Sequence, residues 1–215
     1  PNTGKSMLVG KLTHAPVKIA EYPFTTSLPV PGMAHWEDVP IELVDTPPIT
    51  ADHIPGGLLG PIRTVDIVAI VIDASEDPLE QADMCLTLLE SRGLFLKTVP
   101  HNQLDPSEPS QHCAILLLNK IDLLTEQTTI GTLQELYAER LQVMPLSAGS
   151  GAGLDQFLKR AWELLSLVRV YTKHPGKTVE TSKPFTLELG STVEDLAREI
   201  HQELPGRREH AARGL

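Results

Sequence analysis

The chain has 215 residues, 41% of them apolar, and a formal charge of -10. No apolar run approaches the roughly 18 residues that a helical membrane span needs, and Cys85 and Cys113 have neither the CxxC spacing of a zinc site nor the density of a disulfide framework. Residues 1–166 carry ten Lys/Arg against twenty-one Asp/Glu, leaving +1 on the remaining tail, so the body is no general nucleic-acid surface and DNA is not an expected partner.

Along the chain, apolar runs alternate with amphipathic stretches, the pattern of an α/β protein with a mainly parallel sheet. Periodicity predicts helices over Gly4–Thr13, Leu79–Arg92, Gly131–Leu141 and Leu154–Leu165. The predicted strands are Val39–Val44, Val65–Ile72, Ala114–Leu118 and Val143–Leu146, followed by Asp45, Asp73, Asn119 and Ser147. A polar residue after each strand matters, because open α/β sheets bind ligands beyond the carboxyl ends of their strands. Lys97–His112, rich in Pro, Ser and polar residues, reads as a surface loop, and as a tolerated insertion.

Past Ser166 the pattern changes. Val168–Thr172 and Phe185–Leu189 flank a Pro-Gly turn at 175–176 and predict a hairpin, and Ser191 or Thr192 caps a helix running to about Leu204. The domains are therefore set at 1–166 and 167–215. Arg198, Arg207, Arg208 and Arg213 gather in the second, either as a solvated face or as an RNA contact.

The chemistry begins at the first residue. Pro1-Asn2-Thr3-Gly4-Lys5-Ser6 matches the last six positions of the GxxxxGK[ST] phosphate loop. There Gly4 lets backbone N–H groups approach phosphates, Lys5 supplies a point charge and Ser6 offers a hydroxyl to Mg²⁺. The expectation is a fragment that lacks the strand feeding this loop, a strand normally buried on both faces, and that folds or binds nucleotide poorly by itself. The residues present have no basic start, no apolar signal core and no initiator Met, and a cytoplasmic protein is expected.

Asn119-Lys120-Ile121-Asp122 follows its strand directly. A carboxylate at Asp122 can accept from both the ring N–H and the exocyclic amine of guanine, a donor pair that adenine does not present, while Asn119 and Lys120 brace the loop. Ser147-Ala148-Gly149, one helix and one strand later, fits the loop that completes a guanine pocket. Asp45-Thr46-Pro47-Pro48 stands where a DxxG motif holds Mg²⁺, but Pro48 has no N–H for a terminal phosphate. Ile49 stands where Ras-like enzymes carry the glutamine that orients water. In Tyr22-Pro23-Phe24-Thr25-Thr26, Thr26 is the candidate switch hydroxyl.

Together, Pro-Asn-x-Gly-Lys-Ser, Tyr-Pro-Phe-Thr-Thr, Asp-Thr-Pro and Asn-Lys-Ile-Asp resemble the Obg and Drg group of translation-factor-like GTPases, in order and in spacing. Val168–Lys173 and Thr192–Leu196 with Ile200-His201 resemble the TGS module that ends Drg proteins, cut before its closing strands. The resemblance implies a P-loop NTPase three-layer sandwich with its first strand missing, followed by a partial β-grasp-like TGS module. It implies GTP and GDP contacts from Asn2, Thr3, Gly4, Lys5, Ser6, Asn119, Lys120, Asp122, Ser147 and Ala148, and Mg²⁺ at Ser6, Thr26 and Asp45. Lys5 and Thr26 are the candidates for charge stabilisation and switching in a slow hydrolysis. Asn2 stands where some members use a potassium ion, and ribosome association is implied for the group. The other reading is a ribosome- or RNA-binding module that holds nucleotide without significant turnover.

Overall fold

The computed structural model describes residues 2–13, 30–50, 53–55, 57–124, 128–173, 176 and 184–200. Two compact units divide the chain, Pro1–Trp36 with Pro40–Leu165 and Glu37–Val39 with Ser166–Leu215.

The first unit is organised around one strand. Its helices are α1 (Lys5–Thr13), α2 (Leu59–Thr64), α3 (Pro78–Glu90), α4 (Thr128–Tyr137) and α5 (Leu154–Leu165). Its strands are β1 (Val30–Trp36), β2 (Val39–Asp45), β3 (Val68–Asp73), β4 (Phe95–Lys97), β5 (Gln111–Asn119) and β6 (Val143–Pro145). β5 pairs in parallel with β3, β4 and β6. β1 and β2 form a separate two-stranded ladder.

Because β5 is covered on both sides, its sequence is apolar without interruption from Cys113 to Leu118. Successive side chains still face opposite ways. Ala114, Leu116 and Leu118 join a core with Leu58 and Ile62 beside α2, Ala82, Leu86 and Leu89 of α3, and Leu133 and Tyr137 of α4. Cys113, Ile115 and Leu117 join another with Leu8 and Leu12 of α1 and with Phe157, Leu158, Ala161 and Leu164 of α5. These two cores make a helix–sheet–helix sandwich, and each fully buried Leu or Ile in them stabilises it by about 1.5–3 kcal/mol. Burial also pushes the Cys113 thiol up to about 11, so it behaves as a packed apolar group.

Local chemistry explains where the helices start and stop. Asp77 caps α3, its carboxylate accepting from the Glu80 amide at 3.0 Å with Pro78 in the first turn. Before α5, Gly153 has φ +78 and lies so close to the β6 end that a Cβ would sit 2.6 Å from the Pro145 carbonyl oxygen. Only glycine fits there.

Several predicted boundaries move. β3 starts at Val68 rather than Val65, because α2 ends at Thr64 and a bend intervenes. α4 begins three residues before Gly131 and stops at Tyr137, where the Arg140 and Leu141 amides both donate to the Tyr137 carbonyl and close a turn short of Leu141. The surface-loop reading of 97–112 is corrected at both ends: Lys97 belongs to β4, and Gln111 and His112 belong to β5. β1, with Pro31 and Gly32, and the short α2 carried no usable pattern in sequence.

His112 shows what that correction means energetically. Its ring is buried, and Nε2 has no hydrogen-bond partner among the described residues. Burial, with Arg63 nearby, lowers its affinity for a proton. The folded chain therefore binds fewer protons than the unfolded chain once the pH falls below the ordinary His value of about 6.5, and stability is lost on acidification through that window. His112→Leu is expected to flatten the decline in unfolding midpoint between pH 7 and 5, measured by thermal melts. An unchanged slope would count against the buried neutral imidazole.

In the second unit, β7 (Leu167–Val170) and β8 (Phe185–Glu188) pair antiparallel, with Leu167 opposite Glu188. The helix that follows is described over residues 193–200. Thr192 and Asp195 close a reciprocal cap: the Thr192 amide donates to Asp195 at 2.8 Å, and the Asp195 amide donates to Thr192 Oγ1 at 3.3 Å. Arg198 pairs with Glu194 and Asp195 one turn back. Arg207, Arg208 and Arg213 lie outside the described residues.

Candidate functional site

Three loops meet at the carboxyl ends of β5 and β6, and one buried side chain ties them together. Asn119, the last residue of β5, is 1% exposed. Its Nδ2 donates to the Thr3 carbonyl at 2.7 Å, and its Oδ1 accepts from the Ala148 amide at 2.9 Å. The phosphate-loop sequence, the Asn-Lys-Ile-Asp loop and the Ser-Ala-Gly loop therefore share a single amide. Each of its ends holds a backbone group that would otherwise be buried without a partner.

In the phosphate-loop segment, Asn2 and Gly4 take positive φ, 60 and 86. The Leu8 amide donates to the Gly4 carbonyl at 2.8 Å, which opens α1. Lys5 follows at the helix N-terminus, where backbone N–H groups and the macrodipole already favour an anion. Burial pulls the Lys5 ammonium below its ordinary value, and the Asp45 carboxylate pulls it partly back. A desolvated cation next to orphan amides is a site prepared for negative charge. The Thr3 side chain is buried.

Asp45, at the end of β2, is 8% exposed and accepts from Ser6 Oγ at 2.6 Å. A buried carboxylate bonded to a hydroxyl suits a hard divalent cation that keeps waters and phosphate oxygens as its other ligands. Among the described residues no three His, Cys, Asp or Glu side chains gather as a metal cage. Thr26 lies outside the described residues. Beyond Asp45, Pro47 is buried and Ile49 packs against the core of α2, α3 and α4.

In the base-loop segment, Lys120 adopts the left-handed conformation, φ 66 and ψ 33, and starts a 3₁₀ turn over Ile121–Leu123. This turn carries Asp122 out to solvent beside the Ser-Ala-Gly loop: a Cβ on Gly149 would lie 3.7 Å from Asp122 Oδ2. Ser147 and Ala148 are both buried, and Ser147 Oγ accepts from the Ser150 amide at 3.0 Å. Asp122 is thus exposed beside a loop whose backbone is already fixed.

The sequence reading left Asp73 without a role. It ends β3 in register with Asn119 on β5, and its carboxylate forms an ion pair with Lys120. The sequence did hold a signal, since two strands of one parallel sheet each end on a polar residue, but nothing in it said that they were neighbours.

Residues 1–100 match the family model described as 50S ribosome-binding GTPase. The chain is 26% identical to Ribosome-interacting GTPase 1 of Saccharomyces cerevisiae and 25% identical to the Developmentally-regulated GTP-binding protein 2 homolog of Dictyostelium discoideum, in both cases over 95% of the chain and 70% of the relative. In fold it is similar to Aquifex aeolicus Era bound to GDP.AlF4-, with a TM-score of 0.54, 24% identity, and coverage of 77% of this chain and 54% of that one. Among the described residues no helix is long and apolar enough to cross a membrane. With phosphate-loop, base-loop and Ser-Ala-Gly sequences on one edge of such a sheet, the chain has the α/β fold of P-loop GTPases and is similar over most of its length to ribosome-interacting and developmentally-regulated GTP-binding proteins.

Proposed function

We propose that the protein binds GTP with Mg²⁺ and hydrolyses it slowly to GDP and phosphate, as a switch that associates with the ribosome. The observation that carries this reading is the Asn119 amide joining Thr3 to Ala148, a link that would hold triphosphate recognition and purine recognition at its two ends. Gly4, Lys5 and Ser6 would receive the phosphates, with Asn2 and Thr3 in the same loop, and Asp122 would take the guanine edge over Ser147 and Ala148. Ser6 and Asp45, with Thr26, would hold Mg²⁺, which when bound neutralises charge on the β- and γ-oxygens. Asn2 is the position at which a potassium ion would sit beside those oxygens.

In the reaction a water oxygen bonds to the γ-phosphorus, the bond from that phosphorus to the β–γ bridging oxygen breaks, and GDP leaves with the electron pair. Lys5 stabilises the charge that develops on the transferred group. Pro48 and Ile49 supply no base: Pro48 has no N–H to donate, and Ile49 is apolar and packs against the core. Positioning therefore carries the catalysis, and the rate is low until a partner adds to it. The second unit, read as a TGS module, is the proposed contact with ribosomal RNA, and a cytoplasmic setting follows from that partner. The yeast relative's name, a ribosome-interacting GTPase, supports the association.

The same two residues favour one other reading, a module that holds nucleotide without turning it over. Phosphate release by the full-length protein, alone and with ribosomes, separates the two when set against Lys5→Ala. Release above that variant, stimulated by ribosomes, is the expected result. Release equal to it in both conditions would leave only the nucleotide-holding module.

A further inference from the structure

The turn after β3 is held more firmly than an exposed turn requires. Asp73 is 2% exposed. One carboxylate oxygen, Oδ1, accepts from the Ser75 amide at 2.9 Å and from Ser75 Oγ at 2.6 Å. That is an ordinary Asx turn, and it uses only one oxygen. The other, Oδ2, reaches across to the Lys120 ammonium, 47 residues away in sequence. The Asp73 main chain is clamped as well: its N–H donates to Gln81 Oε1 at 2.9 Å, and its carbonyl accepts from Gln81 Nε2 at 3.2 Å. Next to it, the Ala74 amide donates to the Asn119 carbonyl at 2.8 Å, so the two strand ends are sewn together.

What this clamp holds is a lysine in an uncommon conformation. A residue with a Cβ seldom takes φ near +66 unless its surroundings impose it, and the 3₁₀ turn that presents Asp122 starts from this residue. We infer that Asp73 is a positioning residue for guanine recognition: it anchors Lys120 in the left-handed conformation and so fixes where Asp122 meets the base. The inference rests on the guanine-nucleotide reading above. Burial pushes the Asp73 carboxyl upward, but the hydrogen bonds from Lys120 and Ser75 more than reverse this and hold it below the ordinary carboxylate range. It is therefore ionised and able to hold an ammonium at neutral pH. Gln81 completes the device from α3, since it sets the backbone from which the carboxylate projects.

The test is a double-mutant cycle on the full-length protein, read by dissociation of mant-GDP and by the GDP-to-XDP affinity ratio. Asp73→Asn keeps the shape but removes the charge, and it should speed mant-GDP dissociation about tenfold, because a partly buried ion pair loses one partner. Asp73→Ser is the second variant: its hydroxyl can still serve the Ser75 amide but is too short for Lys120, and the same acceleration is expected. In a Lys120→Met background neither change should accelerate release further, and the base ratio should fall toward unity only when the pair is broken. A merely structural Asp73 would lower the unfolding midpoint and leave the base ratio alone. Unchanged dissociation in both Asp73 variants, or effects that simply add to those of Lys120→Met, would overturn the inference alone. Absence of mant-GDP binding by the parent protein would overturn the guanine reading and this inference with it.

Discussion

Asp122→Asn should lower the affinity for GDP by about 10³-fold and make XDP the preferred ligand. A carboxylate accepts from both donors on the guanine edge, whereas an amide offers one acceptor and one donor. The donor then meets the exocyclic amine of guanine, and two N–H groups oppose each other. Xanthine carries a carbonyl at that position, so the amide accepts from the ring N–H and donates to the carbonyl. Sites whose polar groups are fully sealed around a base discriminate by about 10⁴–10⁵. Asp122 stands on the solvent side of its 3₁₀ turn, where water can take over part of a lost bond, and this sets the smaller figure. Because the side chain lies outside both cores, the unfolding midpoint should stay put, as for a surface substitution of less than about 0.5 kcal/mol. Competition of GDP and XDP against mant-GDP reads the switch. If the variant keeps the parent's base preference, Asp122 does not read the base.

Much of this site was legible because its residues are constrained locally. A glycine before a lysine and a serine, a four-residue loop at the end of an apolar strand, and an acid closing another strand are patterns that backbone chemistry imposes within a few positions. Asn119 and Asp45 could be picked out that way, and the structure puts Asn119 within hydrogen-bond reach of both Thr3 and Ala148. The Asp73–Lys120 pair was not legible, since it depends on which strands are neighbours, and a sequence gives strand ends without their order.

The same limit explains the fold. The apolar run Ala114–Leu118 marked the middle of β5, a stretch that the structure buries throughout, whereas β1 and α2 form through pairing and packing that override weak local propensity. The 97–112 segment, rich in Pro, Ser and polar residues, read as a surface loop, yet its last residues enter β5 and bury His112. Polarity of side chains is a poor guide when the backbone ladder continues beneath them.

Gly4→Ala tests the link itself. At φ +86 an alanine sits in the left-handed region at a cost of about 1–2 kcal/mol, and strain of that size alone would weaken binding only modestly. Contact decides the outcome: the new Cβ would lie 2.4 Å from Asn119 Nδ2, the atom that donates to Thr3. One of the two must move. If Asn119 swings away, the Thr3 carbonyl and the Ala148 amide both lose a partner in a region where Asn119 is almost wholly buried, and each orphaned group costs about 1–3 kcal/mol. The three loops then lose their common register, and mant-GDP affinity should fall about 100-fold, an amount that combined strain and desolvation of roughly 3 kcal/mol supports. If instead the loop shifts and Asn119 stays, affinity should fall by about 5- to 30-fold, as strain alone dictates. Combining Gly4→Ala with Asn119→Ala separates the cases, since the truncated side chain leaves nothing for the new methyl group to strike. The double variant should then release mant-GDP faster than Asn119→Ala alone by no more than the roughly 30-fold that backbone strain accounts for, and a larger acceleration would mean that Gly4 acts on the phosphates directly, independently of the Asn119 bridge.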